Sequence, residues 1–116
     1  MGTRAQVHIV DTGIYLYQHY DGYELPTIVR NAMIRGMDRL NDDEYLTRII
    51  FSEMIKSDID GITGYGIGNV RHSDIEYLVT VDVHNQRVKV EHIDYYTLWC
   101  SFSEFIECSD YNETIN

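Results

Sequence analysis

The chain has 116 residues, a net charge of −10 and an ordinary hydrophobic fraction of 44%. This length suits a single domain, residues 1–116, that buries a core without disulfide or metal staples. The negative charge repels phosphate backbones, so direct binding of DNA or RNA is disfavoured. No apolar run approaches the ~20 residues of a membrane helix, and the N-terminus lacks a signal-peptide pattern, so we expect a cytoplasmic protein that does not bind membranes.

The acidic residues are unevenly distributed. Residues 91–116 carry six acids and no lysine or arginine, whereas residues 41–60 carry six acids and two bases. Such segments favour approach to the basic surfaces of other proteins. The two cysteines, Cys100 and Cys108, lack the spacing of a zinc site and are expected to be packed thiols.

The first elements in chain order are two strands. Residues 5–10 and 14–20 predict a hairpin around Gly13, with Thr12 and Gly13 as the two loop residues. This register places apolar side chains on one face of the hairpin: Val7, Ile9, Ile14 and Leu16. The opposite face is aromatic and polar: His8, Tyr15, Tyr17 and His19.

Two helices are expected next. Pro26 is typical of a first helical turn, and apolar residues continue at helical spacing as far as Leu40. Arg30 and Arg35 fall on the opposite side of this helix, as a solvated face or a small anion-binding face. Asn41, with Glu44 three residues on, predicts the N-cap of a second helix that ends near Ser57.

The second half of the chain begins with a glycine-rich stretch, residues 58–73, that we expect to be irregular. Strands follow at residues 75–83 and 87–93, joined by a two-residue turn at His84-Asn85. The turn predicts a register that aligns opposite charges and keeps the valines together. The predicted pairs are Asp82 with Arg87, Val81 with Val88, Val79 with Val90, and Tyr77 with His92.

The tail predicts one more helix. Ser101 and Glu104 have the spacing of a capping box, which indicates a short helix over residues 102–108, and Trp99 is expected to anchor the segment before it. The element order is then β-β-α-α-β-β-α. Hairpins imply a mainly antiparallel sheet with helices packed on one face, which is an α+β fold.

The stretch from Tyr17 to Pro26 concentrates tyrosines, His19 and Asp21 where a strand meets a helix. His19 and Asp21 could form an acid/base pair or join His72 and Asp74 around a metal ion. The sequence Asp21-Gly22 is equally typical of a turn, and we favour that structural role. We therefore predict no catalytic residue, no metal site and no cofactor.

The glycine run from Gly64 to Gly68 invites comparison with a phosphate-binding loop. A dinucleotide fingerprint requires a strand before the glycines and a helix after them, and here the order is reversed. A turned connection is the favoured interpretation, and a loop that covers a ligand is the alternative.

Candidate binding residues come from two groups. The ten tyrosines suit interfaces, because tyrosine buries area while keeping a polar tip. The acids at the start of the second helix suit attraction to a basic partner. The predicted binding set is Tyr15, Tyr17, His19, Asp21, Tyr23, Asp42, Asp43 and Glu44.

The opening Met1-Gly2-Thr3-Arg4 and the later His19-Tyr20-Asp21-Gly22-Tyr23 resemble small proteins of bacteriophages and prophages. Many of those begin Met-Gly-Thr-Arg and carry His-aromatic-Asp-Gly-Tyr at the end of a second strand. The resemblance covers about the first quarter of the chain. It implies a mobile-element protein that acts in a bacterial cytosol.

These observations lead to a first hypothesis and two alternatives. The first is a non-enzymatic protein that binds a basic surface of a host protein and inhibits it, with a CRISPR-type defence nuclease complex as a candidate. The second is a small ligand- or nucleotide-binding or hydrolytic domain with its site at the Tyr17–Tyr23 junction. The third is a structural or assembly subunit that self-associates, for example as a homodimer.

Overall fold

The computed structural model of the chain describes residues 3–108. Met1 and Gly2 of the opening motif and the final eight residues of the acidic tail lie outside this range. Six strands and three helices follow one another in the order β-β-α-α-β-β-β-β-α. Their bounds are β1 Ala5–Ile9, β2 Ile14–Gln18, α1 Leu25–Arg35, α2 Asp43–Ile55, β3 Tyr65–Gly68, β4 Tyr77–Asp82, β5 Arg87–His92, β6 Tyr96–Ser101 and α3 Phe102–Glu107.

The strands form one sheet in the order β3-β2-β1-β4-β5-β6. Neighbouring strands are antiparallel except for the central pair β1 and β4, which run parallel. The α+β class and the mainly antiparallel sheet are therefore confirmed. The predicted element order is wrong, because it lacks two strands, β3 and β6.

The helices pack on one face of this sheet. Inward side chains of the central strands, such as Val7 and Val79, join Val29 of α1, Ile50 of α2 and Phe105 of α3 in one buried cluster. Within residues 3–108 the other face carries no helix, and we call it the helix-free face. In the part of the chain that the structure describes, the longest helix has 13 residues, and none is long and apolar enough to span a bilayer.

The β4–β5 hairpin has the predicted register, from Tyr77 opposite His92 to Asp82 opposite Arg87. The amide of Gln86 donates to the carbonyl of Val83 at 3.2 Å, which closes the predicted turn. Valine alternation and the facing charges were sufficient to specify this hairpin.

The β1–β2 hairpin has the predicted faces but a longer loop. Ile9 lies opposite Ile14, so four residues connect the strands rather than two. The register is displaced by two positions, which leaves every side chain on its expected side of the sheet. Gly13 takes a positive φ of 74° in this loop, as its predicted turn role requires.

The glycine-rich stretch, which the sequence predicts to be irregular, contains a strand. Tyr65–Gly68 forms the edge strand β3, in which Gly66 lies opposite Tyr17 of β2. From this edge the chain crosses the helix-free face to reach the central strand β4. The buried side chain of Gln6 holds the crossing, because its amide nitrogen donates to the Val70 carbonyl at 3.1 Å and its oxygen accepts from the His72 amide at 2.9 Å.

The helix boundaries correct two further predictions. Helix α1 ends at Arg35, so the apolar run to Leu40 continues outside it in a 3₁₀ turn, Met37–Arg39. The N-cap of α2 is Asp42 rather than Asn41, because the carboxylate of Asp42 accepts from the Tyr45 amide at 3.0 Å. An aspartate in extended conformation directly before the helix is the better capping residue here.

Arg35 lies on the solvent-exposed side of α1, as expected, and it also bonds to the neighbouring helix. Its guanidinium donates to the Glu53 carboxylate at 3.1 Å and to the Ile49 carbonyl at 3.0 Å, which ties α1 to α2. Lys56 also donates to Glu53, and these bonds hold the pKa of that carboxyl below its usual value, with the Lys56 bond as the largest cause.

The tail contains the predicted helix together with a strand that the sequence did not reveal. Ser101 and Glu104 form the expected capping box at the start of α3. Trp99, however, is not a core anchor. It lies on the edge strand β6 with 45% of its surface exposed, and the Arg87 guanidinium lies 4.2 Å from its ring centre. Cys100 and Cys108 are half-buried against the core.

Candidate binding site

The stretch after β2 forms a tight corner. Asp21 adopts a left-handed conformation with φ of 56°, which an aspartate tolerates better than most residues. The Gly22 amide then donates to the Thr3 carbonyl at 2.8 Å, and a Cβ at Gly22 would lie 2.8 Å from the Cβ of Ala5. The corner therefore packs directly against the start of β1, and the structural interpretation of Asp21-Gly22 is the one that the geometry supports.

His19 and Asp21 do not converge as they would on a continuing strand. The strand ends at Gln18, and the His19 ring instead contacts Tyr17 and Tyr20. The Tyr17 hydroxyl and the His19 Nδ1 are 2.9 Å apart, which fits one hydrogen bond.

The other two candidate metal ligands, His72 and Asp74, each contact a different residue. Asp74 forms an ion pair with Arg4 at 3.5 Å, and the His72 ring packs on Tyr17 with ring centres 4.7 Å apart. Between residues 3 and 108, no three His, Cys, Asp or Glu side chains are grouped to hold a metal ion.

Tyr15 and Tyr17 lie on the helix-free face, as the register predicted. Tyr15 stacks in parallel on His8, with ring centres 4.1 Å apart and an angle of 3° between the rings. Burial, with Lys89 as a smaller cause, lowers the pKa of His8 below its usual value. Tyr15 and Tyr17 are half-buried, so each is already committed to neighbours within the chain.

The residues that follow are more accessible. Tyr20 is 59% exposed and Tyr23 is 48% exposed, and the side chains of Asp21 and Glu24 between and beside them are exposed as well. We call these four residues the acid–tyrosine rim. It places two aromatic rings and two carboxylates within five consecutive residues.

A cleft opens beside this rim, between the end of β2, the start of α1, the end of α2 and β3. Its volume is about 600 Å³. We call it the β2–α1 cleft, and its polar walls include Gln18, Tyr20, Asp21, Glu24, Arg30 and Tyr65. Burial raises the pKa of the Tyr65 phenol, and the negative charges of Asp58, Asp21 and Glu24 raise it further.

Two wall groups were missed by sequence reasoning. Gln18 is only 3% exposed, although it carries a polar side chain. A signal was present, because the predicted register puts residue 18 on the same face as Ile14 and Leu16. Arg30 was considered only as part of a helix face, and nothing local indicates that it borders a cleft with Gln18.

The acids of α2 lie at the other end of the sheet. Asp43 and Glu44 border a shallow depression with Asp11 and Thr12 of the β1–β2 loop, next to the first residue of β2. The rim follows the last residue of β2. The structure therefore divides the predicted binding set between opposite ends of this strand and does not bring the two groups together.

Comparisons with known proteins complete the description of this site. A scan against protein-family models, a search of curated proteins and a search of solved structures each gave no match.

Proposed function

We propose that this chain is a non-enzymatic binding protein that attaches to a basic surface of another protein and blocks it. The acid–tyrosine rim is the observation that carries the proposal. Exposed tyrosines are typical anchors of protein interfaces, because they bury a large area at a low entropic cost. The neighbouring carboxylates of Asp21 and Glu24 favour a partner whose surface carries lysine or arginine.

The tyrosines that anchor the complex in this proposal are Tyr20 and Tyr23. Tyr15 and Tyr17 are less suited, because their rings are half-buried against His8 and His72. The acids raise the rate of encounter and the tyrosines lengthen the lifetime of the complex, which is the usual division between charged and apolar contacts.

A host defence nuclease complex of the CRISPR type is the partner class that we favour. Such a complex carries basic channels for nucleic acid, and a chain with net charge −10 is attracted to the same surfaces. The chain would act in a bacterial cytosol by occupying such a surface, without binding free DNA or RNA itself.

Affinity capture from bacterial lysate, compared across matched variants, tests this proposal. A protein retained by the wild-type chain should be lost with Tyr20→Ser combined with Tyr23→Ser. It should be retained with Tyr95→Ser, which changes a tyrosine that is 80% exposed outside the rim. The captured protein, once purified, should bind more weakly as salt rises.

Two results would contradict the proposal. One is equal retention by the rim variant and the Tyr95 variant. The other is tight binding of the isolated chain to free duplex DNA at physiological salt.

A further inference from the structure

Gln18, a wall residue of the β2–α1 cleft, has a buried acceptor without a partner among the described residues. The Gln18 amide nitrogen donates to the carbonyls of Tyr20 at 2.8 Å and Asp21 at 3.2 Å. These two acceptors fix which end of the amide is the nitrogen. The side-chain oxygen of Gln18 is left buried without a hydrogen-bond partner among the described residues.

A buried donor borders the same cleft. The Nε of Arg30 also lacks a partner within residues 3–108, and the structure shows no ion pair for this guanidinium in that range. Arg35, five residues further on, is by contrast bonded to Glu53. Because buried polar groups are nearly always hydrogen-bonded, a group that offers one N–H and one oxygen would satisfy Gln18 and Arg30.

The charged side chains at the mouth of the cleft indicate which charge a group bound there carries. The carboxylates of Asp21 and Glu24 are exposed, whereas Glu53 deeper in the wall is already bonded to Lys56. Arg30 and Lys56 also line the cleft, but its three acids outnumber them, so the lining as a whole favours a cation. A phosphate would meet these acids with the same sign of charge, which disfavours a nucleotide.

We propose that the cleft binds one arginine or lysine of an extended peptide segment, together with the main chain around it. A peptide offers one N–H and one carbonyl per residue, which match Gln18 and Arg30. The basic head then lies beside Asp21 and Glu24. The volume of about 600 Å³ suits a few residues, since ligand pockets of about 300–1,000 Å³ are usual.

This inference rests on the proposed function, because it names the part of the basic partner that the rim receives. The tyrosines grip the partner around the cleft, and the segment inside supplies specificity. Removing a hydrogen-bonding group of the cleft should therefore weaken recognition of the peptide without removing the aromatic anchors.

The test is an NMR titration of the full-length ¹⁵N-labelled chain with acetyl-Gly-Arg-Gly-amide. Saturable shifts are expected at amides lining the cleft, such as those of Thr27 and Tyr65. The same peptide with norleucine in place of arginine, and free arginine without the blocked main chain, should each bind at least about ten-fold more weakly.

Matched variants locate the binding. Arg30→Met keeps the aliphatic part of the side chain and should lower the affinity for the peptide by about ten-fold. Asp21→Asn with Glu24→Gln should do the same, and asparagine tolerates the left-handed backbone at position 21. The control is Asp38→Asn with Asp94→Asn, which removes two exposed charges outside the cleft and should leave binding unchanged.

Three results would overturn the inference. They are the absence of shifts up to about 10 mM peptide, equal binding of the norleucine peptide or of free arginine, and equal peptide binding by the Arg30→Met variant. The proposed function is measured separately. If a captured partner binds the wild type and Arg30→Met equally but not the rim tyrosine variant, the cleft is wrong and the function stands.

Discussion

The backbone amide of Gly22 donates to the carbonyl of Thr3 at 2.8 Å, and a Cβ at Gly22 would lie only 2.5 Å from that same oxygen. This contact joins the opening segment of the chain to the corner after β2. Thr3 and Gly22 therefore lie in direct contact although 19 positions separate them in the chain. The glycine at position 22 is explained by its packing against the start of β1.

Gly22→Ala should destabilise the chain strongly. The methyl group would meet the backbone of Thr3 and Arg4 and the Cβ of Ala5, and overpacking of this kind costs about 1–3 kcal/mol in the free energy of unfolding. Urea denaturation followed by circular dichroism measures the loss. Gly68→Ala is the control, since a Cβ there meets nothing within 4 Å, and equal losses for the two variants would refute the close approach.

The β4–β5 hairpin and the edge strand β3 show where sequence reasoning succeeded and where it failed. The hairpin is local, and its valines and facing charges specify both strands and the turn. Strand β3 contains Gly66 and Gly68, which have low strand propensity, so its structure depends on pairing with β2 across the fold. Such a tertiary pairing leaves no periodic pattern to detect.

The candidate site likewise has a local part that the sequence indicates and a tertiary part that it does not. The rim is one continuous stretch, and the concentration of tyrosine and acid there was visible in the sequence. The β2–α1 cleft draws its walls from three separate stretches of the chain, residues 18–31, residues 53–57 and Tyr65. Only the buried position of Gln18 was available from the predicted register, and its unused oxygen depends on the exact course of the corner that follows.

Gln6→Leu should release the crossing from β3 to β4. The substitution leaves the His72 amide and the Val70 carbonyl without their partner, which costs about 1–3 kcal/mol in the free energy of unfolding. Hydrogen exchange at the His72 amide should become faster. His72→Ala is the control, because it removes the ring and keeps the amide; unchanged exchange in Gln6→Leu would show that this clamp is unimportant.

Substitutions at the start of α2 distinguish the two candidate caps. Asp42→Ala should lower the free energy of unfolding by about 1 kcal/mol, because the carboxylate bonded to the Tyr45 amide is lost. Asn41→Ala should change it by less than about 0.5 kcal/mol, as expected for an exposed residue without such a role. Thermal unfolding of both variants provides the measurement, and the reverse ranking would restore the sequence-based assignment.

His8 should make the fold less stable in mild acid. Burial is the main cause that lowers its folded pKa below 6.5, so the unfolded chain takes up a proton first as pH falls. The free energy of unfolding therefore decreases from neutral pH down through the folded pKa of His8. His8→Gln should reduce this slope in urea titrations, whereas the control His84→Gln at the exposed β4–β5 turn should preserve it.

The two acidic groups at opposite ends of β2 should differ in their effect on partner association. Asp21→Asn with Glu24→Gln should slow association with a captured partner more than Asp43→Asn with Glu44→Gln. At physiological salt, charges are screened over about 8 Å, so acids farther than this from the contact surface add little to the electrostatic attraction of the partner. The second pair leaves the Asp42 cap in place but removes two acids from the first turn of α2, so its free energy of unfolding is measured in parallel.

Tyr23→Ala should act differently, by speeding dissociation while leaving the association rate nearly constant. The exposed ring contributes buried area only after contact, whereas charges act before it. Surface plasmon resonance at two salt concentrations separates the two rates. If the Asp43 and Glu44 substitutions slow association more than the Asp21 and Glu24 substitutions do, the partner binds at the α2 end of the sheet. If the association rate changes neither with salt nor with any of the four acids, the partner is not attracted electrostatically through a basic surface.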